Sequence, residues 1–388
     1  MEARLRILFA APAWWPATAF GGPVVVAREL TGRLAARGHS VEVVTTSLTE
    51  VDGGGSWRSR DEEHDGVRVR YLATPARYRW MGITPTLPVE LRRVGRPDVV
   101  HVFGFRDPVT TGVAAWARLR GIPYVFEPLG MFRARLRKVA LKQALDRTLY
   151  RGVAPQAAAV VVASRREGDD VAASGVVARE RIHVRGNGFP EPYDGQAADR
   201  AALGIPGDAP VLLYVGRIAA GKGIEHLVAA LQELPEAHLV LIGPDDRHGV
   251  AETLAVDRVH VLGPMDGPPL AYYRLADVFV LPSADESFGM VAAEAAAGGT
   301  PVVVTDRCGV AELFGENEAI VVPDDRRAIL DAVRSVLADP ELRSRLSTGG
   351  VAAARRNSWD AVADRQEELY RLAVASRTAA SRFSTDGS

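Results

Sequence analysis

Short apolar runs alternate with glycine-bearing loops and with stretches whose apolar residues recur at helical spacing. Leu5–Ala10 is an apolar run of the kind buried in a parallel sheet. A loop with Gly21 and Gly22 follows, and Pro23 suits the first turn of a helix. Val26, Leu30 and Leu34 keep helical spacing, Gly38 ends that helix, and Val41–Val44 is the next strand. A strand, glycine loop, helix and strand in this order predict a parallel sheet. Pro97–Phe103, Ile122–Pro128 and Ala158–Ser164 read as further strands. Residues 52–66, rich in glycine and charge, read as a mobile excursion.

A second series starts near residue 210. Five apolar strands are expected in Pro210–Ile218, His238–Pro244, Val259–Pro264, Asp277–Ser283 and Thr300–Asp306. The joint falls at about 188–210, where Pro and Gly are dense. The expected domains are 1–190 on the acceptor side and 191–355 for nucleotide-sugar binding. A terminal helix over 356–376 crosses back to the first domain, and 377–388 is a frayed tail. Two doubly wound α/β domains in series place a ligand crevice at their facing strand ends, in a central cleft.

Composition excludes several function classes. The 388 residues are 47% hydrophobic and 24% charged, ample for two cores. A net charge of −1 gives no bulk attraction to nucleic acid or membrane. The single cysteine, Cys308, cannot form an internal disulfide. The first apolar run, Ile7–Ala13, is too short to span a membrane and lacks a signal-peptide layout. A cytoplasmic protein is expected, with the inner membrane surface as its one candidate membrane contact.

The candidate chemistry is concentrated in Pro282–Asp306. Glu286, Ser287, Phe288 and Gly289 suit a loop, and Met290 onward suits a helix. The amides of Gly289, Met290 and Val291 would form a helix N-terminus fit for a diphosphate. Glu294, expected in the first turn, leans back towards that end and could accept from ribose hydroxyls. Glu286 could do the same for the transferred sugar. Helix-dipole stabilisation accounts for the sign of Glu294 but not for its setting among alanines, where a glutamate is costly without a partner. Arg217 and Lys222 bracket a glycine loop after the strand ending at Gly216 and could neutralise the same diphosphate. Gly21 and Gly22 would let backbone approach a phosphate.

These motifs, with Glu312 in "CGVAEL", "RGNGF" at the joint and "NSWDAVADRQEELY" near the end, resemble the retaining glycosyltransferases of family 4, which have the GT-B fold. The resemblance implies that Arg217 and Lys222 hold the diphosphate, Glu286 the donor sugar, Glu294 the ribose, and that Gly21–Gly22 close over the phosphate. It also implies front-face transfer with retention, in which the leaving phosphate takes the acceptor proton. Two family histidines are replaced, by Phe103 and by Leu129 before Gly130.

On the acceptor side the candidates are Trp14, Trp15, His101 and Arg133. A histidine ending a buried strand is more often structural, and Trp14 and Trp15 could equally stack on a ligand or pack an interior face. The basic stretch Arg133–Arg147 reads as a solvated helix face, with a membrane-surface or phosphorylated-acceptor site as the alternative. No His/Cys cluster has metal spacing. The expectation is therefore a metal-independent glycosyltransferase using a nucleotide sugar and a hydroxyl-bearing acceptor. It needs no cofactor and binds no nucleic acid. A GT-B-like sugar-nucleotide epimerase, a phosphorylase or a non-catalytic sugar-nucleotide-binding protein are the alternatives.

Overall fold

A computed structural model describes residues 3–132, 152–245, 257–265 and 267–385, with side chains in the last helix described as far as residue 377. The chain divides into two compact units. One comprises Met1–Gly186 with Trp359–Ser388, the other Asn187–Ser358.

In the first unit the strands are β1 (Arg6–Ala10), β2 (Ser40–Thr46), β3 (Arg60–His64), β4 (Val67–Leu72), β5 (Ala76–Tyr78), β6 (Met81–Ile83), β7 (Val99–Phe103), β8 (Tyr124–Glu127), β9 (Ala159–Val162) and β10 (Ile182–Val184). Eight of them form one sheet in the order β10-β9-β8-β7-β1-β2-β4-β3, and β5 and β6 pair separately. Every pairing in the large sheet is parallel except β3 with β4. The central strands are largely apolar because helices cover both faces. Leu8, Val44, Val100, Val102, Phe126 and Val160 meet in one core.

Residues 52–66 are not simply an excursion, because Arg60–His64 within them is the antiparallel edge strand. Its side chains are charged, which hid it from hydrophobic patterning. Asp61 is compensated across the sheet by Arg70 on β4 at 3.0 Å, and Glu62 within the strand by Arg60 at 2.6 Å and His64 at 2.9 Å. Charged edge strands also resist pairing with other chains.

The second unit holds β11 (Val211–Val215), β12 (His238–Ile242), β13 (Val259–Val261), β14 (Val278–Leu281), β15 (Val302–Thr305) and β16 (Ile320–Val322). They form a fully parallel sheet in the order β13-β12-β11-β14-β15-β16. The sixth strand, β16, is a three-residue edge element beyond the five expected. The chain runs outward from β11 to β13, then returns to β14 beside β11. That reversal makes the β11/β14 boundary a topological switch point, where open α/β sheets place ligands. In the first unit the corresponding boundary lies between β1 and β7.

The final helix runs from Trp359 to Thr385, past the expected end at residue 376.

Candidate functional site

Loops at the carboxyl ends of β11 and β14 converge at the switch point of the second unit. After β11 the chain passes Gly216 and exposed Arg217, then turns back through Gly221, Lys222 and Gly223 into the helix Ile224–Glu233. Gly223 is required there, since it has φ +71 and a Cβ would lie 1.9 Å from the Pro282 carbonyl oxygen. This close approach sets the Lys222 loop directly against the β14 loop. Lys222 Nζ donates to Glu286 Oε2 at 2.5 Å, with both side chains about a quarter exposed. The expected cation and sugar-side carboxylate are thus one ion pair.

The Glu286 loop is stitched to the loop after β15. Glu286 N–H donates to the Arg307 carbonyl at 3.1 Å, and its own carbonyl accepts from Gly309 N–H at 3.2 Å. The Phe288 carbonyl accepts from Val310 N–H at 2.7 Å. Phe288 is buried, so its ring packs within the loop. Cys308 sits in this supporting loop, buried, and burial pushes its thiol up to about 12. It is an inert small residue.

Gly289, at φ +99, turns the chain into the helix Met290–Ala297, which has no side-chain cap. The first amides of such a helix have no intrahelical acceptor, so Met290 and Val291 present N–H groups at its start. Glu294 lies one turn further in, not in the first turn as expected. The residue keeps some solvent access, but its carboxyl is enclosed by protein, and Tyr273 O–H donates to its Oε2 at 2.8 Å. Burial raises the Glu294 carboxyl to about 7 against the opposing pull of Tyr273. Tyr273 carries no motif and lies far from Glu294 in sequence, so nothing in the chain announced it.

In the first unit Gly21, with φ +77, precedes the helix that begins at Gly22 and follows the loop after β1. Trp14 is buried, whereas Trp15 is partly exposed beneath Arg28, whose Cζ lies 4.1 Å from the ring centroid. Trp14 therefore packs the interior. His101 is corrected in the same sense. It is fully buried in β7, its Nδ1 lies 2.7 Å from the Tyr370 hydroxyl, and its Nε2 lies 3.2 Å from Glu127 Oε2. Glu127 is bound through both oxygens by Arg185 at 2.8 Å, and Arg185 also reaches Gln366 at 2.9 Å. Burial lowers the His101 pKa against the pull of Glu127. Burial alone would raise the Glu127 carboxyl, but Arg185 and His101 hold it below the ordinary range. Every member of this network is buried. Phe103, at one family histidine position, packs against Phe9 with centroids 5.1 Å apart. Arg133 and the basic stretch around it lie outside the described residues.

Among the described residues no three His, Cys, Asp or Glu side chains are grouped to hold a metal ion. None of the described helices is long and apolar enough to cross a membrane.

Two family models match the chain, the glycosyl transferase 4-like domain over residues 21–188 and the glycosyl transferases group 1 over 195–351. This chain belongs to the group 1 glycosyltransferases. Among its relatives, the D-inositol 3-phosphate glycosyltransferase of Xylanimonas cellulosilytica is 33% identical over 92% of this chain and 93% of its own. That of Kineococcus radiotolerans is 31% identical over 92% of each. Among solved structures, sucrose-phosphate synthase from Thermosynechococcus elongatus superposes with TM-score 0.74 and 26% identity, covering 96% of this chain and all of that one. The catalytic domain of starch synthase IV from Arabidopsis thaliana gives TM-score 0.73 over the same share of this chain at 17% identity, which shows the fold alone. The group 1 glycosyltransferase described here is a GT-B protein with two parallel-sheet α/β domains, and it is a nucleotide-sugar-dependent transferase.

Proposed function

We propose that this glycosyltransferase moves a sugar from a nucleoside diphosphate onto a hydroxyl of a phosphorylated polyol, with retention and without a metal ion. The second unit supplies the donor site and the first the acceptor side. The carrying observation is the switch point after β11 and β14. There Lys222, paired with Glu286, stands beside exposed Arg217, and the helix after Gly289 presents two amides with Glu294 one turn behind them. Arg217, Lys222 and the helix amides would bind the diphosphate and stabilise the charge that grows on it as the sugar leaves. Glu294 would accept from the ribose hydroxyls and Glu286 from those of the sugar. In front-face transfer the leaving phosphate oxygen takes the acceptor proton, so the protein acts chiefly by positioning and electrostatics. The phosphorylated polyol is supported by the names of the relatives, D-inositol 3-phosphate glycosyltransferases. A lone buried cysteine supports a cytoplasmic setting.

The test is a donor screen with UDP-, GDP-, ADP- and dTDP-sugars, read first as slow hydrolysis and then as transfer to inositol 3-phosphate and to hexose phosphates. Product anomeric configuration is read by NMR and activity is repeated in chelator. Transfer to free inositol or free hexoses, assayed alongside, and not to their phosphates would overturn the acceptor class. An inverted product would overturn retention. Activity lost in chelator and restored by magnesium would overturn metal independence. Tight donor binding with no turnover on any pair would leave a binding protein.

A further inference from the structure

A cavity of about 420 Å³ lies at the amino-terminal edge of the first sheet. Arg6 begins β1, Asp98 leads into β7 and Pro123 precedes β8. These strands are parallel, so all three residues lie at one edge. Arg96 from the loop before β7 and Arg377 from the last helix complete the polar lining. Gly21 and Gly22 follow β1 at its opposite, carboxyl end.

The charge in this cavity is uncompensated. Three guanidinium groups line it against one carboxylate, Asp98, and Asp98 Oδ2 is taken up by the Arg6 backbone N–H at 2.7 Å. No described group hydrogen-bonds to or pairs with the guanidinium of Arg6, Arg96 or Arg377. Glu42, the carboxylate that feels Arg6, is bound by Arg70 at 3.3 Å. On the last helix Asp364 and Glu367 both hold Arg37, and Glu367 also holds Arg371. Three like charges around one hollow repel one another unless an anion joins them. Guanidinium forks match phosphate oxygens in pairs and lose little hydration in doing so. The volume lies within the range of small-ligand sites.

We propose that this cavity binds a phosphate-bearing anion, at the sheet edge opposite the glycine loop. Arg6, Arg96 and Arg377 would share its oxygens. The same chemistry is offered by a soluble phosphate ester and by an anionic lipid headgroup.

Inorganic phosphate and pyrophosphate are titrated calorimetrically into the full chain, into R217A/K222A, which removes the donor-side cations, and into R217A/K222A carrying R96S/R377S as well. Pyrophosphate binding should survive in R217A/K222A and weaken at least tenfold when R96S/R377S is added to it, with R96K/R377K in the same background recovering part of it. Arg96 is exposed, so R96S alone carries the test if the double variant fails to fold. Vesicles of phosphatidylcholine with and without phosphatidylglycerol separate the sources. Sedimentation with the anionic vesicles that is lost in R96S/R377S assigns a headgroup, and pyrophosphate binding without sedimentation assigns a soluble phosphate. Binding in R217A/K222A that is undiminished by adding R96S/R377S overturns the proposal. So does wild-type protein that binds none of the three probes.

Discussion

Glu294 holds its charge at a cost in the folded protein. Burial raises its carboxyl to about 7 from the ordinary 4.5, and the Tyr273 hydroxyl offsets only part of this. A raised acid binds its proton more tightly when folded, so its contribution is favourable below pH 4.5 and is lost as pH rises through 7. Every tenfold gain in proton affinity is worth about 1.4 kcal/mol, so ionised Glu294 subtracts roughly 2–4 kcal/mol at pH 8. Glu294→Gln keeps an acceptor for Tyr273 and removes the charge. Its melting temperature should exceed wild type at pH 8 and match it near pH 4, and equal curves at both would show that the carboxyl is not strained. Glu294→Ala should weaken the bare nucleoside diphosphate about tenfold or more, since a hydrogen bond to a charged group is worth roughly 1.5–3 kcal/mol. Glu286 should behave differently because it neutralises Lys222. Glu286→Ala frees that cation for the diphosphate, so bare-diphosphate affinity should hold or rise while kcat with the full donor falls. Parallel losses of diphosphate affinity in both variants would sink the division of roles.

At the scale of elements, the site depends on loops held backbone against backbone. Gly223→Ala must move either its own loop or Pro282, and at φ +71 the new side chain is strained as well. A loss of about 1–3 kcal/mol in stability is expected, with a weaker Lys222–Glu286 contact and poorer donor binding. Wild-type melting and donor affinity in that variant would refute the tight fit. The contrast with what the sequence revealed follows from reach along the chain. Arg217, Lys222, Glu286 and the helix start at Met290 lie in two short segments whose glycines mark their turns, so they were legible. Tyr273 meets Glu294 from another helix, and Arg307–Val310 support Glu286 from another strand. Neither carries a local signal. Strand β3 was missed because it is held by ion pairs, Asp61 with Arg70 and Glu62 with Arg60 and His64, and not by apolar burial. The burial of the Phe288 ring was likewise not marked by any local signal.

At the scale of the molecule, the first unit is completed only by the end of the chain, because Trp359–Thr385 belongs to it. That helix buries Trp359, Val362, Ala363, Tyr370 and Ala373. It also supplies Tyr370 to His101, Gln366 to Arg185, and Asp364 and Glu367 to Arg37. Without it the Arg185–Glu127 pair keeps its charges but loses the cover and hydrogen bonds that make burial tolerable. Disrupting a buried pair costs about 3–5 kcal/mol. Added to the exposed apolar face, this approaches the whole stability of a typical domain, roughly 5–15 kcal/mol. A chain ending at Ser358 should therefore lose the first unit and keep the second. Hydrogen exchange reads the two sheets separately. Amides of β7 and β8 should lose their protection in the shortened chain, while those of β11, β12 and β14 stay protected. A milder version tests the polar part alone. Tyr370→Phe removes the hydroxyl facing His101 and leaves the ring in place, so it should cost about 1–3 kcal/mol and keep both sheets protected. If the shortened chain protects β7 and β8 as well as the full chain does, the network around Arg185 is held by the sheet itself and the helix is a cover without structural weight.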